Sequence, residues 1–479
     1  MTLRALLCYG HVASNWGDLA INAGAIALFR EAGIDLEGSA VVTLRASEAF
    51  SRQAASTMKG LRPLSLQLDD VPKGGREEIA LLSSYLADPR RFAHEVGMQE
   101  FDVVVLNSGE HLFETSRGEN TLDLIWRILP ALAAIELGKQ VISLPVTLGP
   151  FRTPFGAEIE ELIAFDPATS ALRETESGAL AQSDAVRRLR TVLDPGFFTP
   201  GLKAAEEAER GAGSIGIVMR LEDVGLRPGA QRSAFVQRKH QGSDFQESQA
   251  FSLFREVACT ALLDGASTVT VIVQTRADRE VSQALHRSLA AEFGDDRVIL
   301  DDPARMRDFL AALRAQRILV TSRFHAVILA SAQGVPAVGV YSSSHGHKMP
   351  GLFDLLRIPD GAIRLDERDP TIVAAEVREA MVGVVESIEE TRTRIRSLRT
   401  LTRRWLREAL EAGPRPQTAL DPVRSRAQAV LVSRALDLST DHSLRELTAA
   451  VTQLSHQVDE VRAAVADDDL PEGEPATDA

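Results

Sequence analysis

Three polar side chains stand between two apolar runs in the second half of the chain: Ser322, Arg323 and His325. The run before them, residues 317–320, predicts a buried strand, and the run after them, which ends at Gly334, predicts a helix. The three side chains are therefore expected on a strand-to-helix turn, where ligands bind in an open parallel sheet. The free N–H groups and the positive dipole end of the helix favour an anion there. An arginine and a histidine at such a point indicate an anion site with an acid beside it.

Two further cations are expected to reach the same crevice. Arg220 ends one predicted strand, and Lys348 follows another. Because the carboxyl ends of parallel strands meet at one edge of a sheet, both should converge with Arg323 and His325. Arginine presents a planar fork that suits a carboxylate, and histidine is the usual general acid near neutral pH. The set predicts binding of a small anion with His325 as the acid, although each residue also has a structural interpretation as a capping, ion-pairing or surface residue.

Strand–loop–helix units repeat along the chain, which predicts parallel α/β architecture. Residues 1–205 are predicted to form one Rossmann-like domain and residues 206–375 a second, joined by a charged, glycine-punctuated linker. Within the first domain, residues 107–111 are expected to form a loop after a buried strand. Residues 371–411 are predicted to form a long helix. Residues 376–412 are assigned to a helical segment separate from the second domain.

The last segment, residues 413–479, is predicted to hold a linker, a short heptad helix and a disordered acidic tail. Its apolar residues alternate spacings of three and four: Leu444, Leu447, Val451, Leu454, Val458, Val461 and Val465. This is the a/d seam of a coiled coil about three heptads long. Because so short a seam is marginal alone, residues 444–465 are expected to pair with a second copy, as a homo-oligomer, or to dock on the body of the protein.

Composition and charge narrow the class of protein. The 479 residues carry a net charge of −14, which argues against a nucleic-acid-binding protein. Two cysteines are too few for a disulfide framework and suit a reducing compartment. Neither a signal peptide nor an apolar segment long enough to span a bilayer is visible, so a cytoplasmic protein without a transmembrane segment is expected. The pair His345 and His347 has no cysteine or carboxylate cluster beside it, so no metal site is predicted.

Six short motifs follow one another along the chain and together form a family pattern. They are Asn15-Trp16-Gly17-Asp18, Leu148-Gly149-Pro150-Phe151, Leu172-Arg173-Glu174 with Ser177, Asp194-Pro195-Gly196-Phe197, Ile215-Gly216-Ile217 with Arg220, and Ser322-Arg323-Phe324-His325-Ala326 with Gly334-Val335-Pro336 and Lys348. With these motifs the chain resembles the polysaccharide pyruvyl transferase family over about residues 5–360. The resemblance implies two Rossmann-like halves that face a cleft, as in glycosyltransferases of the GT-B type. It also implies transfer of a pyruvyl group from phosphoenolpyruvate to a pair of sugar hydroxyls, giving a ketal. No cofactor is expected.

One departure from the family pattern lies in the first half, which the resemblance makes the acceptor side. The family usually carries a glycine-rich loop where this chain has Asn107-Ser108-Gly109-Glu110-His111, with a single glycine. Larger side chains at this point limit how closely the backbone can approach a ligand. A saccharide acceptor is expected to contact Asn15, Asp18 and Glu110. Asp18 is interpreted equally well as a helix N-cap.

Two other functions stay open. A GT-B glycosyltransferase would use a nucleotide sugar, for which a phosphate-binding glycine-rich loop and a ribose-binding carboxylate are expected, and neither is clear. A family member without catalysis would act in binding or assembly through its heptad helix. Arg173 and Ser177 are likewise open between substrate contact and simple packing or capping.

Overall fold

The strands form two sheets, one in each half of the chain. The computed structural model describes residues 3–9, 15–44, 48–58, 60–66, 68, 71–115, 120–203, 213–220, 246, 248–342, 347–366, 368–414 and 420–468. The first sheet is built from β1 (Ala5–Cys8), β2 (Ala40–Thr43), β3 (Arg62–Ser65), β4 (Val103–Leu106), β5 (Gly109–Leu112), β6 (Gln140–Leu148), β7 (Ser170–Leu172) and β8 (Arg190–Thr191). The second is built from β9 (Ser214–Val218), β10 (Thr268–Ile272), β11 (Val298–Asp301), β12 (Ile318–Thr321), β13 (Ala337–Tyr341) and β14 (Ala362–Arg364).

The strand order of each sheet fixes where a ligand can bind. The first sheet runs β3-β2-β1-β4-β6-β7-β8, with β5 added on β6, and the second runs β11-β10-β9-β12-β13-β14. All of these pairings are parallel. Counted from its own first strand, the second sheet has the 3-2-1-4-5-6 order of doubly wound sheets. The order reverses between β1 and β4 and between β9 and β12, so a crevice opens beyond the carboxyl ends of each pair. The prediction of two Rossmann-like α/β halves is confirmed.

Helices cover both sheets and continue past them. Those of the first half are α1 (Trp16–Glu31), α2 (Glu48–Thr57), α3 (Arg76–Ala87), α4 (Pro89–Glu95), α5 (Thr121–Glu136), α6 (Pro154–Ala164), α7 (Glu176–Leu180) and α8 (Asp184–Arg187). Those of the second half are α9 (Gln249–Leu263), α10 (Arg279–Phe293), α11 (Met306–Arg314), α12 (Phe324–Ala332) and α13 (Lys348–Leu356). The C-terminal region adds α14 (Pro370–Glu386), α15 (Ile388–Glu411) and α16 (Leu420–Asp468). Short 3-10 turns occupy Met98–Glu100, Pro195–Phe198, Arg276–Asp278 and Pro359–Gly361.

Apolar side chains join the two halves as well as filling each. β4 reads Val-Val-Val-Leu and is buried throughout, as expected of a parallel strand with helices on both faces. One core cluster contains Phe29 and Phe197 of the first half together with Phe309 and Leu329 of the second. Trp405 of α15 belongs to the same cluster. The halves therefore share a continuous apolar core.

The structure differs from the predicted loop at residues 107–111. Gly109–Leu112 instead forms β5, which pairs with the edge of β6. Its sequence, Gly-Glu-His-Leu, lacks the apolar alternation that predicts a strand. The strand forms because Gly109 lies opposite Val146 and Leu112 opposite Leu148 at the far end of the long strand β6.

The long helix predicted over residues 371–411 is two helices that meet at Ser387. α14 packs on the second sheet, where Val373 and Val377 are buried. α15 returns to the first half, where the Thr402 hydroxyl accepts a hydrogen bond from the Leu193 amide at 3.0 Å. The C-terminal region thus ties the two halves together.

The terminal helix α16 is 49 residues long, far longer than the short heptad helix predicted. Its start is buried on the body, but the apolar seam from Leu444 to Val458 is 49–62% exposed. The expected docking of that seam on the body is therefore absent from its described part. The acidic tail is predicted to be disordered from residue 466, but α16 continues to Asp468. The residues beyond 468 and the predicted domain boundary between residues 205 and 206 lie outside the described residues. No helix among the described residues is long and apolar enough to cross a membrane.

Candidate active site

The two sheets meet at their carboxyl ends. Asn15, which follows β1, forms an isolated antiparallel bridge with Thr275, which follows β10. Its side-chain Oδ1 accepts hydrogen bonds from Gln274 Nε2 at 3.1 Å and from the Gly17 amide at 2.9 Å. Asn15 is therefore the N-cap of α1 as well as an inter-half contact. The interpretation of Asp18 as the N-cap is wrong, because Asp18 lies in the first turn of the helix.

His325 lies at the contact between the halves. It is the second residue of α12 and only 8% exposed. Its ring packs on Gly17, where an added Cβ atom would lie 2.6 Å from His325 Cβ and 2.8 Å from His325 Nδ1. His325 Nε2 lies 3.8 Å from Asp194 Oδ2 and has no hydrogen-bond partner among the described residues. The imidazole thus has a carboxylate nearby and a buried ring nitrogen that the described residues leave without a hydrogen bond.

Asp194 is the fully buried carboxylate behind this histidine. It accepts hydrogen bonds from Arg173 Nη1 at 2.9 Å, from the Gly196 amide at 2.6 Å and from the Ser108 hydroxyl at 3.4 Å. Burial alone would raise the pKa of Asp194, but His325, Arg173 and the Gly196 amide outweigh it and hold the pKa well below its ordinary value. An ionised Asp194 therefore places a negative charge beside Arg173 and His325.

Three cations gather beside this network. Burial, with Arg220 and Arg173 close by, lowers the pKa of Lys348 to about 8, although Glu110 opposes the change. The Lys348 ammonium lies 5.8 Å from the centre of the Phe324 ring, and the Arg173 guanidinium lies 4.7 Å from it. Both lie at cation–π distance from the same ring. Such crowding of like charges favours an anionic ligand, because the ligand would relieve their repulsion.

Glu110 and Lys348 form an ion pair across the two halves. Glu110 lies on β5 of the first half and Lys348 begins α13 of the second. Both side chains are less than one-fifth exposed, since Lys348 is 18% and Glu110 16% accessible. The ion pair therefore joins Glu110, which is predicted to contact the saccharide acceptor, to Lys348, which is predicted to bind the anionic donor substrate.

Arg220 is fixed through its backbone. Its amide donates to the Ser322 hydroxyl at 2.8 Å, and the Ser322 amide donates to the Val218 carbonyl at 3.1 Å. These bonds join the ends of the neighbouring strands β9 and β12. The Arg220 side chain is buried. The structure thus places Ser322 as a support of Arg220, and its predicted contact with substrate stays a prediction.

Arg323 is engaged within its own half. Its Nε donates to Asp278 Oδ2 at 2.8 Å, its Nη2 donates to Asp278 Oδ1, and Nη2 also lies 3.3 Å from the Thr275 hydroxyl. This bidentate ion pair matches the structural interpretation of Arg323. A donor anion that binds Arg323 must share the guanidinium with Asp278, so the predicted donor-binding role stays a prediction.

A second buried carboxyl group lies between the halves. Glu174 accepts a hydrogen bond from the Ser177 amide at 3.0 Å and another from the Ser177 hydroxyl. His347 Nε2 lies 3.1 Å from that hydroxyl and 3.7 Å from Glu174 Oε1. Burial, helped by Glu110, raises the pKa of Glu174 to about 7 against the opposing effects of Ser177 and Arg173. Glu174 can therefore gain or lose a proton near neutral pH.

The remaining predicted residues lie at the edges of this group. The Asp18 side chain makes no hydrogen bond or ion pair with another described residue and is partly exposed. The His111 ring lies 5.2 Å from the Tyr9 ring. His345 is outside the described residues. Within the described part of the chain, no three His, Cys, Asp or Glu side chains are grouped so that they could hold a metal ion.

A model of the family described as polysaccharide pyruvyl transferase matches residues 15–344, well over half of the chain. The chain belongs to this family. No curated protein matches it with significant sequence similarity.

Several solved structures are similar to this polysaccharide pyruvyl transferase family member at low identity. The Anabaena protein HepE in complex with UDP is 12% identical, with a TM-score of 0.46, over 90% of this chain and 100% of that chain. The UDP-GlcNAc 2-epimerase of Neisseria meningitidis bound to UDP-GlcNAc is 10% identical, with a TM-score of 0.46, over 91% and 100%. S. aureus MnaA with UDP is 12% identical, with a TM-score of 0.45, over 81% and 91%.

The sequence interpretation of this family member missed the carboxylates that organise the cations. Asp194, Glu174 and Asp278 were not among the predicted site residues, although the first two stand in the family motifs. Glu174 follows β7 closely and Asp194 follows β8, so both lie after the carboxyl end of a strand of the first sheet, as Arg220 does after β9 of the second. Their position after a strand end is the sequence feature that could have identified Glu174 and Asp194 as site residues. Their partners were not predictable, because Arg173 lies 21 residues before Asp194 and Ser108 lies 86 before it.

Proposed function

We propose that the protein transfers a pyruvyl group from phosphoenolpyruvate to two hydroxyls of a sugar in a glycan or glycan precursor. The products would be a cyclic ketal and inorganic phosphate. The observation that carries the proposal is the group of Arg173, Arg220 and Lys348 beside His325, in a cleft between two sheets of a family member. Phosphoenolpyruvate carries a carboxylate and a phosphate on one carbon, and such a dense anion needs several cations.

The donor is proposed to lie against the second half. Arg220 and Lys348 of the second half, with Arg173 reaching across from the first, would hold its two anionic groups. Ser322 would keep Arg220 in position through the hydrogen bond it accepts from the Arg220 amide. Arg323 would contact the donor from the edge of the group, sharing its guanidinium with Asp278.

His325 is proposed as the general acid. It would give a proton to the methylene carbon of the donor, so that the neighbouring carbon becomes electrophilic. The first sugar hydroxyl would add to that carbon and return its proton to His325. The second hydroxyl would displace phosphate from the same carbon, and its proton would leave with the phosphate. One phosphate is released for each ketal formed, and no water is consumed.

The acceptor is proposed to lie against the first half. Asn15 and Asp18 would face it from the start of α1, and Glu110 from β5. Support for this side comes from position alone: Asn15 follows β1 at the point where the strand order reverses. Glu110 borders the donor group through its ion pair with Lys348, so it can contact both substrates.

The test is to incubate the purified protein with phosphoenolpyruvate and a panel of sugars and sugar-lipid precursors. Phosphate release and a pyruvylated product, seen by mass spectrometry, are expected in equal amounts. His325→Ala should abolish both, because the proposed mechanism takes the proton for the methylene carbon from His325. His456→Ala, on the exposed part of α16, is the matched control and should keep full turnover. Unchanged turnover in His325→Ala would remove this residue from the mechanism.

The strand order of the second sheet also favours a second function, that of a glycosyltransferase that uses a nucleotide sugar. The 3-2-1-4-5-6 strand order of the second sheet is also that of nucleotide-binding sheets. A GT-B glycosyltransferase would therefore be stabilised against heating by a UDP- or GDP-sugar. The proposed pyruvyl transferase would be stabilised by phosphoenolpyruvate instead, and thermal shift with both ligands separates the two functions.

A further inference from the structure

The helix α16 changes its surroundings along its length. Its first part packs on α3, α5 and α6 of the first half, and four apolar residues there are no more than 1% exposed: Leu420, Val423, Ala427 and Leu431. Farther along, Leu444 is 55% exposed and Leu454 is 59% exposed. The first part anchors the helix, and the second part presents an uncovered apolar seam.

The composition of the seam favours one kind of partner. In heptad register its a positions are Leu444, Val451, Val458 and Val465, and its d positions are Leu447, Leu454 and Val461. Among parallel coiled coils, β-branched residues at a combined with leucine at d favour two strands, and the central heptads follow this pattern with Val451 and Val458 at a and Leu447 and Leu454 at d. In the same register, the preceding a and d positions hold Asp437 and Thr440, which are polar. The seam therefore begins only after the helix has left the body.

The positions beside the seam allow it to meet its own copy. Its first e and g positions are uncharged, with Thr448 and Ser455 at e and Ala450 and Gln457 at g. No like charges would face each other across two identical helices over this stretch. The outer face does not suit a lipid surface, because it carries both signs of charge rather than the basic residues that bind anionic membranes.

We propose that residues 444–465 form a parallel two-stranded coiled coil with a second copy of this chain. An isolated seam of three heptads is marginal because it must first nucleate a helix. Here the buried first part of α16 already holds the helix in place. In a parallel pair, both bodies stand at the same end of the coil. This inference does not depend on the proposed catalytic activity.

The first test is the mass of the full-length protein in solution, by light scattering and sedimentation. Twice the chain mass of 52.0 kDa is expected. Val451→Asp, which places a charge in the seam, should give a monomer with unchanged thermal unfolding. Thr452→Asp, which adds the same charge one residue further on the outer face, should remain a dimer. A monomeric or trimeric wild type, or a dimeric Val451→Asp variant, would overturn the proposal.

The second test addresses orientation. In a parallel pair, each a position lies beside the same residue of the other chain, so Val451→Cys should form an interchain disulfide on mild oxidation. Thr452→Cys should not, since its side chain points away from the seam. The native Cys8 and Cys259 are buried, which limits background cross-linking. A dimer in which neither variant cross-links would contradict the parallel arrangement.

Discussion

Lys348 carries a charge that depends on pH within the range where the protein can be assayed. Burial, together with the nearby Arg220 and Arg173, lowers the pKa of its ammonium to about 8, although Glu110 opposes the change. Below that pH the side chain is charged and attracts the donor; above it the charge is lost while the donor stays anionic. Affinity for phosphoenolpyruvate should therefore fall above about pH 8, by up to about tenfold per pH unit. Calorimetric titration across this range measures the slope.

Two substitutions isolate the contribution of this side chain. Lys348→Arg keeps its charge at any assay pH, so the loss of affinity above about pH 8 should disappear. Lys348→Met removes the charge. This variant should bind phosphoenolpyruvate weakly, with the same affinity at each pH. An affinity that falls just as steeply in Lys348→Arg would assign the effect to another group and remove Lys348 from the donor site.

At the scale of elements, the start of α1 fixes the position of the proposed acid. Gly17 has no Cβ, and one added there would lie 2.6 Å from His325 Cβ, too close for either to stay in place. Gly17→Ala should therefore displace the imidazole and lower turnover by about a hundredfold, since a shift of about 1 Å can have that effect. Steady-state phosphate release measures the loss, and circular dichroism checks that the variant folds.

A glycine in open space provides the comparison for Gly17. Gly383 lies inside α14, and apart from its chain neighbours and the surrounding helix backbone no atom of the described residues lies within 4 Å of an added Cβ. Gly383→Ala should leave turnover unchanged and stabilise the fold by up to about 1 kcal/mol, because alanine favours a helix. Full activity in Gly17→Ala would show that the catalytic step does not need His325 where the structure has it.

The strands of both sheets were largely predictable, and the contacts between the halves were not. Buried parallel strands are continuous apolar runs, so β4 and β12 stand out from the sequence. β5 does not, because its sequence lacks apolar alternation and it forms by pairing with the end of β6. The positions of Arg220, His325 and Lys348 could be predicted because ligands bind beyond the carboxyl ends of the strands in a parallel sheet.

The pairing of these side chains depends on how the halves pack. Glu110 lies 238 residues before Lys348, and sequence spacing carries no information about such a contact. The same holds for Gly17 and His325, where a small residue in one half makes room for a ring in the other. Family motifs identify such residues but do not show which of them are in contact.

For the molecule as a whole, the two halves are held by more than their shared core. α15 spans them, and Arg403 pairs with Glu31 at its far end. Asn15 bridges to Thr275, and Glu174 of the first half lies against α13 of the second, where an added Cβ at Gly351 would be 2.4 Å from Glu174 Oε2. Because Glu174 is buried at this contact, we expect the packing of the two halves to depend on its protonation.

Glu174 should make the stability of the whole protein depend on pH. Burial raises its pKa from 4.5 to about 7, so its contribution to stability is complete below the unfolded value and is lost as pH rises through the folded value. Glu174→Gln does not titrate. The free energy of unfolding of this variant relative to wild type should therefore rise by up to about 3 kcal/mol between about pH 4.5 and about pH 8. Urea denaturation at the two ends of that range measures it. Glu379→Gln, at an exposed position on α14, should follow the wild-type pH dependence. If Glu174→Gln does the same, this carboxyl group does not link protonation to the joining of the halves.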